Sequence, residues 1–416
     1  MLMVGLLALS VPEMGAGGGF QNVDQSARVM AIGGTMGALT GDPTAMHANP
    51  AALSFLEGPE FSFGAMVRVP DQRFHGVYPA TDETKMQAQV LFPPSLCFTY
   101  TSPGGFGAGI SFTVPYQMQT EWDQDWVGSR LAVKSDLRVA MVTPAVSMKI
   151  SEGFSAGLGL EIGLPRILYE QRFPVSVPGE SVEQPDADVT YDGDGNVSYG
   201  VLAGVLYRAG EMLSLGASYR SHMNLQIEEG RVRYRSIPPE IADQYPEGQF
   251  STDLVIPNQF LAGATFRPFT WLNLFADIEY SLWSEFSSVK ITYSNPTRPD
   301  AVMNQNWKNV ANARFGIEAV FSDITLRGGI RFEKSPVPDE YLTPGLPDAS
   351  GTGYSVGFGY RAGEGLVLDF AYSLMKFNDR SVTSSALMAG PYVGGFNGLY
   401  TSSTGSLAIN VTYSWN

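Results

Sequence analysis

Apolar and polar residues alternate one by one along several long stretches of the chain. The pattern is clear at residues 271–283 (WLNLFADIEYSLW), 366–375 (LVLDFAYSLM) and 406–415 (SLAINVTYSW). A period of two places successive side chains on opposite faces of a β-strand. These stretches exceed the roughly five or six residues of strands in soluble sheets, and a soluble sandwich would bury their apolar faces between two sheets. One apolar and one polar face over such a length is typical of a transmembrane β-barrel.

The connections between the predicted strands alternate between short and long. Short turns are predicted at residues 102–105, 151–153, 208–211, 267–270, 322–323 and 361–364. Long polar connections are predicted near residues 71–89, 122–135, 172–195, 230–251, 295–306, 334–350 and 379–402. Short turns at one end and long loops at the other are typical of outer-membrane barrels, in which the short turns face the periplasm. We therefore predict an all-β fold, an antiparallel transmembrane β-barrel of about fourteen strands.

The N-terminal part of the chain does not follow this alternation. Residues 1–18 combine an apolar run with small residues, as in a signal peptide, without the usual preceding Lys or Arg. We read this as a truncated leader or a misplaced start codon. Residues 19–55 are rich in Gly and Ala, and a wide barrel needs closure, so we expect them to form a plug, or hatch, in the lumen. The predicted transmembrane barrel then comprises residues 56–416.

Composition and charge exclude several classes of function. The 26 Lys and Arg residues against 41 Asp and Glu residues give a net charge of −15, which disfavours a nucleic-acid partner. A single cysteine, Cys97, excludes a disulfide framework. The histidines are His47, His75 and His222, too scattered to indicate a metal centre. We expect neither a metal nor another cofactor.

Two short motifs resemble functional sites but lack the necessary context. The stretch GYSVG at residues 353–357 has a hydrolase nucleophile pattern, yet it begins a strand and every histidine precedes it. The stretch DGDGN at residues 192–196 resembles a calcium loop, but Val197 and Ala203 occupy the positions that require Gly and Glu. We therefore expect that the protein is not an enzyme, and a lipid-acting barrel enzyme is a lesser alternative.

One predicted strand, residues 111–120 (SFTVPYQMQT), contains a proline at position 115. Proline donates no N–H to a ladder and is normally confined to edges, strand starts or bulges. Lost ladder bonds that faced lipid would cost several kcal/mol each. In a closed barrel such a defect indicates either a bulge or a place where an opening is useful.

Two cations are predicted near the lumen, Arg166 after Pro165 and Lys308 after Trp307. They are candidates for binding an anionic ligand. The alternative is that lumen-facing cations balance inward carboxylates such as Asp277 and Glu279.

The chain resembles the FadL-type outer-membrane transporters of long-chain fatty acids and hydrocarbons from about residue 19 to residue 415. The most specific match is residues 49–71 (NPAALSFLEGPEFSFGAMVRVPD), in which Asn49, Pro50 and Ala51 look like the NPA motif of the family's hatch. Further matches are residues 219–221 (YRS), 254–260 (LVIPNQF), 280–290 (YSLWSEFSSVK) and 332–340 (FEKSPVPDE). Their common order and spacing make the resemblance specific.

The resemblance implies a fourteen-stranded barrel plugged by the hatch, in the bacterial outer membrane. A hydrophobic ligand would be captured among the outer loops, enter an internal pocket, and leave sideways where the third strand kinks inward. By this resemblance Pro115 and Tyr116 border the lateral exit, and Arg166 and Lys308 bind the ligand carboxylate. These cations favour fatty acids as ligands, and neutral or aromatic hydrocarbons are the alternative. An aqueous porin is less favoured. The expected partners are the ligand, outer-membrane lipids and the barrel assembly machinery, and we expect a monomer.

Overall fold

The strands form one antiparallel barrel. The computed structural model describes residues 18–178, 185–296, 298–387 and 395–415. The strands are β1 (Gly58–Gly76), β2 (Glu83–Lys85), β3 (Pro94–Thr101), β4 (Phe106–Glu121), β5 (Lys134–Ser151), β6 (Phe154–Phe173), β7 (Ala187–Asp194), β8 (Ser198–Ala209), β9 (Leu213–Arg220), β10 (Met223–Arg235), β11 (Gly248–Ile256), β12 (Gln259–Phe269), β13 (Leu272–Ser281), β14 (Ser288–Tyr293), β15 (Ala301–Asn304), β16 (Val310–Phe321), β17 (Ile324–Glu333), β18 (Gly351–Arg361), β19 (Leu366–Phe377), β20 (Arg380–Val382) and β21 (Gly398–Ser414).

Fourteen wall strands close on themselves, because β1 pairs with β21 along its length. Six of these wall strands consist of two segments each: β7 with β8, β9 with β10, β11 with β12, β13 with β14, β15 with β16, and β19 with β20. The short β2 pairs only with β1, outside this set. The predicted fold class and strand number are confirmed.

The wall extends further toward the long-loop end than the sequence predicted. Strand β7 and the outer parts of β10 and β11 lie in connections that were predicted to be loops. Here Val189, Tyr191, Val232 and Phe250 are buried, so the apolar residues face the lumen. In these segments the apolar face of a strand is therefore not the lipid-facing side. This is why the sequence pattern does not predict them as strands.

The N-terminal segment lies inside the barrel and is built from short helices. The α-helix α1 (Ala27–Ala31) packs on β17, β18, β19 and β21, and the 3-10 helix Pro50–Phe55 packs on β4, β5, β6 and β8. A second 3-10 helix, Pro43–His47, adjoins the latter. Each helix begins after a capping side chain, Ser26, Asp42 or Asn49, which accepts a main-chain N–H of the first turn. None of the described helices is long and apolar enough to cross a membrane.

Three further 3-10 helices lie between strand segments or in the outer connections. They are Pro239–Gln244, Trp283–Glu285 and Asp339–Tyr341.

Glycines in the wall allow the hatch to approach the strands closely. A Cβ atom added at Gly216 would overlap the carbonyl oxygen of Gly37 in the hatch. One added at Gly204 would overlap the side-chain oxygen of Asn49. The interior surface is therefore shaped to receive the N-terminal segment.

Candidate ligand-binding site and wall opening

A large apolar cavity lies in the lumen beneath the long loops and has a volume of about 540 Å³. Its size is within the range of about 300–1,000 Å³ that is typical of small-molecule sites. Residues from several wall strands and several loops line it, including Met118, Leu137, Ile167, Tyr191, Phe250, Leu254, Ile291, Met303 and Leu346. The lining is mainly aliphatic and aromatic, so the cavity suits a hydrophobic ligand.

Phe20 of the hatch lines this cavity and closes its inner end. The Phe20 ring centroid lies 5.0 Å from that of Trp283, 5.9 Å from that of Trp307 and 6.0 Å from that of Tyr116. All four side chains are buried. Phe20 is therefore packed in an aromatic cluster at the boundary of the cavity.

A narrow polar chamber of about 40 Å³ is lined by the next hatch residues, Gln21 and Asn22. Arg220 pairs with Glu161 at 2.8 Å, and Arg314 pairs with Glu279 at 3.1 Å. All four charged residues line the chamber together with Pro115. The chamber is too small for an alkyl chain while the hatch is in this position.

Strand β4 loses its pairing with β3 part-way along its length. Its ladder with β3 ends where Leu96 lies opposite Phe112. Beyond this point residues 113–116 are all buried, and the pairing of β4 with β5 shifts between Thr113 and Tyr116. The strand therefore turns toward the lumen and leaves a gap between itself and β3.

The hatch pairs with the free edge of β4 at this kink. The Asn22 N–H donates to the Pro115 carbonyl at 2.7 Å, and the Gln117 N–H donates to the Phe20 carbonyl at 3.0 Å. Gln21 and Tyr116 lie opposite each other in this short antiparallel bridge. The bridge satisfies main-chain groups that the wall no longer pairs, and it couples the position of Phe20 to β4.

Residues 86–93, which we call the strap, cover the gap from the outer-loop side. Leu91 exchanges two main-chain hydrogen bonds with Arg68 of β1, at 2.8 and 2.9 Å. At the other side, the Gln87 N–H donates to the Glu121 carbonyl of β4 at 2.8 Å. The strap thus spans from β1 to β4 with a few hydrogen bonds where a regular strand would make a continuous ladder.

A family model described as outer membrane protein transport protein (OMPP1/FadL/TodX) matches residues 8–415. The chain belongs to this family. Membership confirms the predicted outer-membrane location. It also confirms the prediction that the protein is not an enzyme, because its homologues are transport proteins.

Individual relatives are distant but match along most of their length. The chain is 23% identical over 408 residues to the long-chain fatty acid transport protein of Salmonella typhi. The alignment covers 90% of each chain. It is 22% identical over 370 residues to the 47 kDa outer membrane protein of Pasteurella multocida, which covers 82% of each chain.

Solved structures of the family share the fold of this FadL/TodX-family protein. A FadL homologue from Pseudomonas aeruginosa matches with a TM-score of 0.80 at 20% identity, covering 98% of this chain and 99% of the other. The toluene transporter TodX of Pseudomonas putida matches with a TM-score of 0.75 at 16% identity, covering 97% and 100%.

The two predicted ligand-binding cations of this FadL/TodX-family protein do not line the apolar cavity. Arg166 is exposed and pairs with Asp194 at 2.7 Å and Asp192 at 3.1 Å. The Lys308 side chain is also exposed, in the stretch between β15 and β16, while its N–H donates to the Pro336 carbonyl at 2.8 Å. The structure therefore does not bring Arg166 and Lys308 together in one pocket.

The predicted hatch motif of this family member lies at a contact between hatch and wall. The Asn49 side-chain amide donates to the carbonyls of Gly37 at 2.9 Å and Val205 at 3.0 Å, and its oxygen accepts the Ala51 N–H at 3.1 Å. Pro50 occupies the first helical turn, where its missing N–H costs nothing. Asn49, Pro50 and Ala51 thus form one helix start tied to β8.

Sequence reasoning missed several residues that hold the hatch of this protein. Asp277 was considered only as a balancing charge, yet its carboxylate accepts the N–H groups of Met36 at 2.6 Å and Gly37 at 2.8 Å. Arg220 lies in the quoted YRS stretch, but only the fold places its guanidinium beside Glu161. No local pattern signals these contacts, because the partners are far apart in the chain.

A buried carboxyl in an outer loop of this protein predicts a pH effect on stability. Burial raises the pKa of Asp348 from 3.8 to about 8, outweighing the opposing contributions of Ser335, Arg380 and the Gly19 amide. A group whose pKa is higher in the folded state than in the unfolded state stabilises the fold at pH values below its unfolded-state pKa. This stabilisation is lost as the pH rises through the folded-state pKa. Stability should therefore fall between about pH 4 and pH 8.

The measurement is the thermal unfolding midpoint of the wild type and of Asp348→Asn across this pH range. The wild-type midpoint should fall with rising pH, and the Asp348→Asn midpoint should fall less. The matched control is Asp379→Asn, since Asp379 is an exposed carboxylate in the next outer connection. The prediction would be contradicted if the unfolding midpoints of the wild type and of Asp348→Asn fell equally with rising pH.

Proposed function

We propose that this protein is a passive channel that takes up long-chain fatty acids across the outer membrane. The observation that carries the proposal is the apolar cavity of about 540 Å³ whose inner end is closed by Phe20. Each buried CH₂ group contributes about 0.8 kcal/mol, so such a cavity can concentrate a long alkyl chain from dilute solution. The similarity to a long-chain fatty acid transport protein along most of the chain supports this ligand class.

The proposed exit is lateral, at Pro115 and Tyr116. Two observations support this route: the gap between β3 and β4, and the hydrogen bonds in which the Phe20 carbonyl accepts from β4 and the Asn22 N–H donates to it. Withdrawal of Phe20 would connect the cavity to the gap, and the tail would pass directly into the apolar part of the bilayer. No energy source other than the ligand gradient is required.

In this proposal residues 19–55 act as the hatch, with Asn49, Pro50 and Ala51 as its anchor to β8. Residues 1–18 lie mostly outside the described part, and we propose that they direct export. The further partners are outer-membrane lipids and the barrel assembly machinery, and the protein acts as a monomer. Closed pairing between β1 and β21 supports function as a single chain.

Uptake of neutral or aromatic hydrocarbons is the second candidate. The observation in its favour is that neither Arg166 nor Lys308 lines the apolar cavity. A ligand without a charge would need no cation there. The fold shared with the TodX toluene transporter is consistent with either ligand class.

The experiment is uptake of labelled oleate and labelled toluene by a Gram-negative strain that lacks its own transporter of this family. Expression of the protein should increase oleate uptake more than toluene uptake. The reverse ranking would select the hydrocarbon function, and uptake equal to that of the empty vector for both would reject both. Entry of small sugars at porin-like rates would instead indicate an aqueous pore.

A further inference from the structure

A second cavity of about 290 Å³ lies among the outer loops beside the apolar cavity. Its lining is aromatic on one side, where Phe173, Tyr234 and Tyr245 pack with ring centroids 5.4–6.0 Å apart. Arg298 and Tyr293 also line it. We refer to this space as the outer cavity.

Arg298 is held by aromatic rings in place of carboxylates. Its guanidinium lies 3.8 Å from the ring centroid of Tyr293 and 5.1 Å from that of Tyr234. No carboxylate of the described residues forms an ion pair with it, and the nearby Asp300 pairs with Lys290 at 2.7 Å. The cation is thus oriented by stacking while its capacity to bind an anion is unused.

Two tyrosines separate the outer cavity from the apolar cavity. Tyr293 lines the first and Tyr191 lines the second, and their hydroxyl oxygens are 2.7 Å apart. Arg298 also donates to the Tyr191 hydroxyl, at 3.4 Å. The Tyr191 side chain therefore lies between the Arg298 guanidinium and the apolar cavity.

We propose that Arg298 is the head-group site for an anionic amphiphile entering this channel. The guanidinium binds the carboxylate in the outer cavity, and the tail passes between Tyr191 and Tyr293 into the apolar cavity. A carboxylate accepts two parallel hydrogen bonds from arginine and replaces the long bond to the Tyr191 hydroxyl. Arrival of the head group thereby releases Tyr191 from Arg298 and opens the way for the tail. This inference rests on the proposed uptake of fatty acids and names the residue that selects for their charge.

The test compares two probes that share one tail, oleate and oleyl alcohol, binding to the purified full chain in lipid nanodiscs. Arg298→Gln should weaken oleate binding at least tenfold and change oleyl alcohol binding less than twofold. Arg298→Lys should recover part of the oleate affinity, because it restores the charge without the planar fork. Arg231→Gln is the matched control, since it removes an exposed arginine of β10 that lines neither cavity, and it should leave both affinities unchanged.

Tyr293→Phe tests the partition between the cavities. It removes one hydroxyl of the pair and keeps the ring that stacks on Arg298, so association of both probes should become faster. Unchanged association rates would overturn the role of the tyrosine pair. Equal oleate affinities for Arg298→Gln and Arg231→Gln would overturn the head-group site while leaving the proposed function intact. Failure of the wild type to bind either probe would instead reject the proposed function.

Discussion

A disulfide between cysteines at positions 21 and 116 should abolish oleate uptake and leave oleate binding intact. Gln21 and Tyr116 face each other in an antiparallel bridge, and the hydrogen bonds come from the flanking residues. In such a non-hydrogen-bonded pair the Cα atoms are about 4.5 Å apart. Disulfides form at Cα separations of about 4.4–6.8 Å, so this pair should oxidise without moving the backbone.

The bond would fix the hatch to β4 and keep Phe20 beneath the apolar cavity. The background should carry Cys97→Ala, because Cys97 is a buried free thiol that could form a wrong pair. Uptake by the oxidised protein should fall to the level of the empty vector and return after reduction. The reduced protein serves as its own control for the loss of the Tyr116 ring.

A second cysteine pair controls for cross-linking as such. Ser62 of β1 and Thr412 of β21 have hydroxyl oxygens 3.1 Å apart, in a seam that is paired along its length. Cross-linking this seam should leave uptake unchanged. Full uptake by the oxidised 21–116 protein would show that the ligand does not need movement between the hatch and β4.

Replacing Arg331 with Met should loosen the hatch and make the barrel leaky. Arg331 of β17 donates to Asp24 of the hatch at 2.7 Å, and both side chains are almost fully buried. Removal of one partner of a buried ion pair costs about 3–5 kcal/mol, because the other charge stays buried without compensation. The substitution does not alter the hydrogen bonds between the wall strands. The lost free energy should therefore weaken the attachment of the hatch to the wall.

The readouts are single-channel conductance in planar bilayers and the thermal unfolding midpoint. Arg331→Met should raise conductance and lower the midpoint, and adding Asp24→Asn should restore much of both. Arg166→Met is the matched control, because the Arg166 side chain is 45% exposed and such pairs contribute about 0–1 kcal/mol. The idea fails if Arg331→Met conducts no more than Arg166→Met.

The barrel could be predicted from the sequence because lipid imposes a strict alternation on the wall. Apolar residues at 366–375 and 406–415 face outward, and their period fixes both the strands and their orientation. The rule fails at β7, where Val189 and Tyr191 point inward among the outer loops. Above the membrane the apolar side of a strand is decided by the loop cluster that it packs against.

Alternation along a strand predicts on which side of the wall a residue lies, but it applies only within the strand. Along β6, Leu158, Leu160 and Leu164 are exposed, and Arg166 has the same parity. Parity alone would have placed Arg166 outside the lumen. Lys308 lies between β15 and β16, where no alternation applies. The positions of Phe20 and Arg298 depend on contacts between distant segments, which the sequence does not encode locally.

The strap gives the wall one part whose length is not fixed by strand register. Elsewhere an inserted residue would shift a ladder and turn every following side chain to the opposite face. The strap makes only a few main-chain hydrogen bonds to β1 and β4, so residues can be added or removed there without disturbing the other strands. If the exit is lateral as proposed, the length of the strap would set the width of the aperture independently of the barrel. A graded series of strap lengths offers a route to channels that admit bulkier hydrophobic molecules.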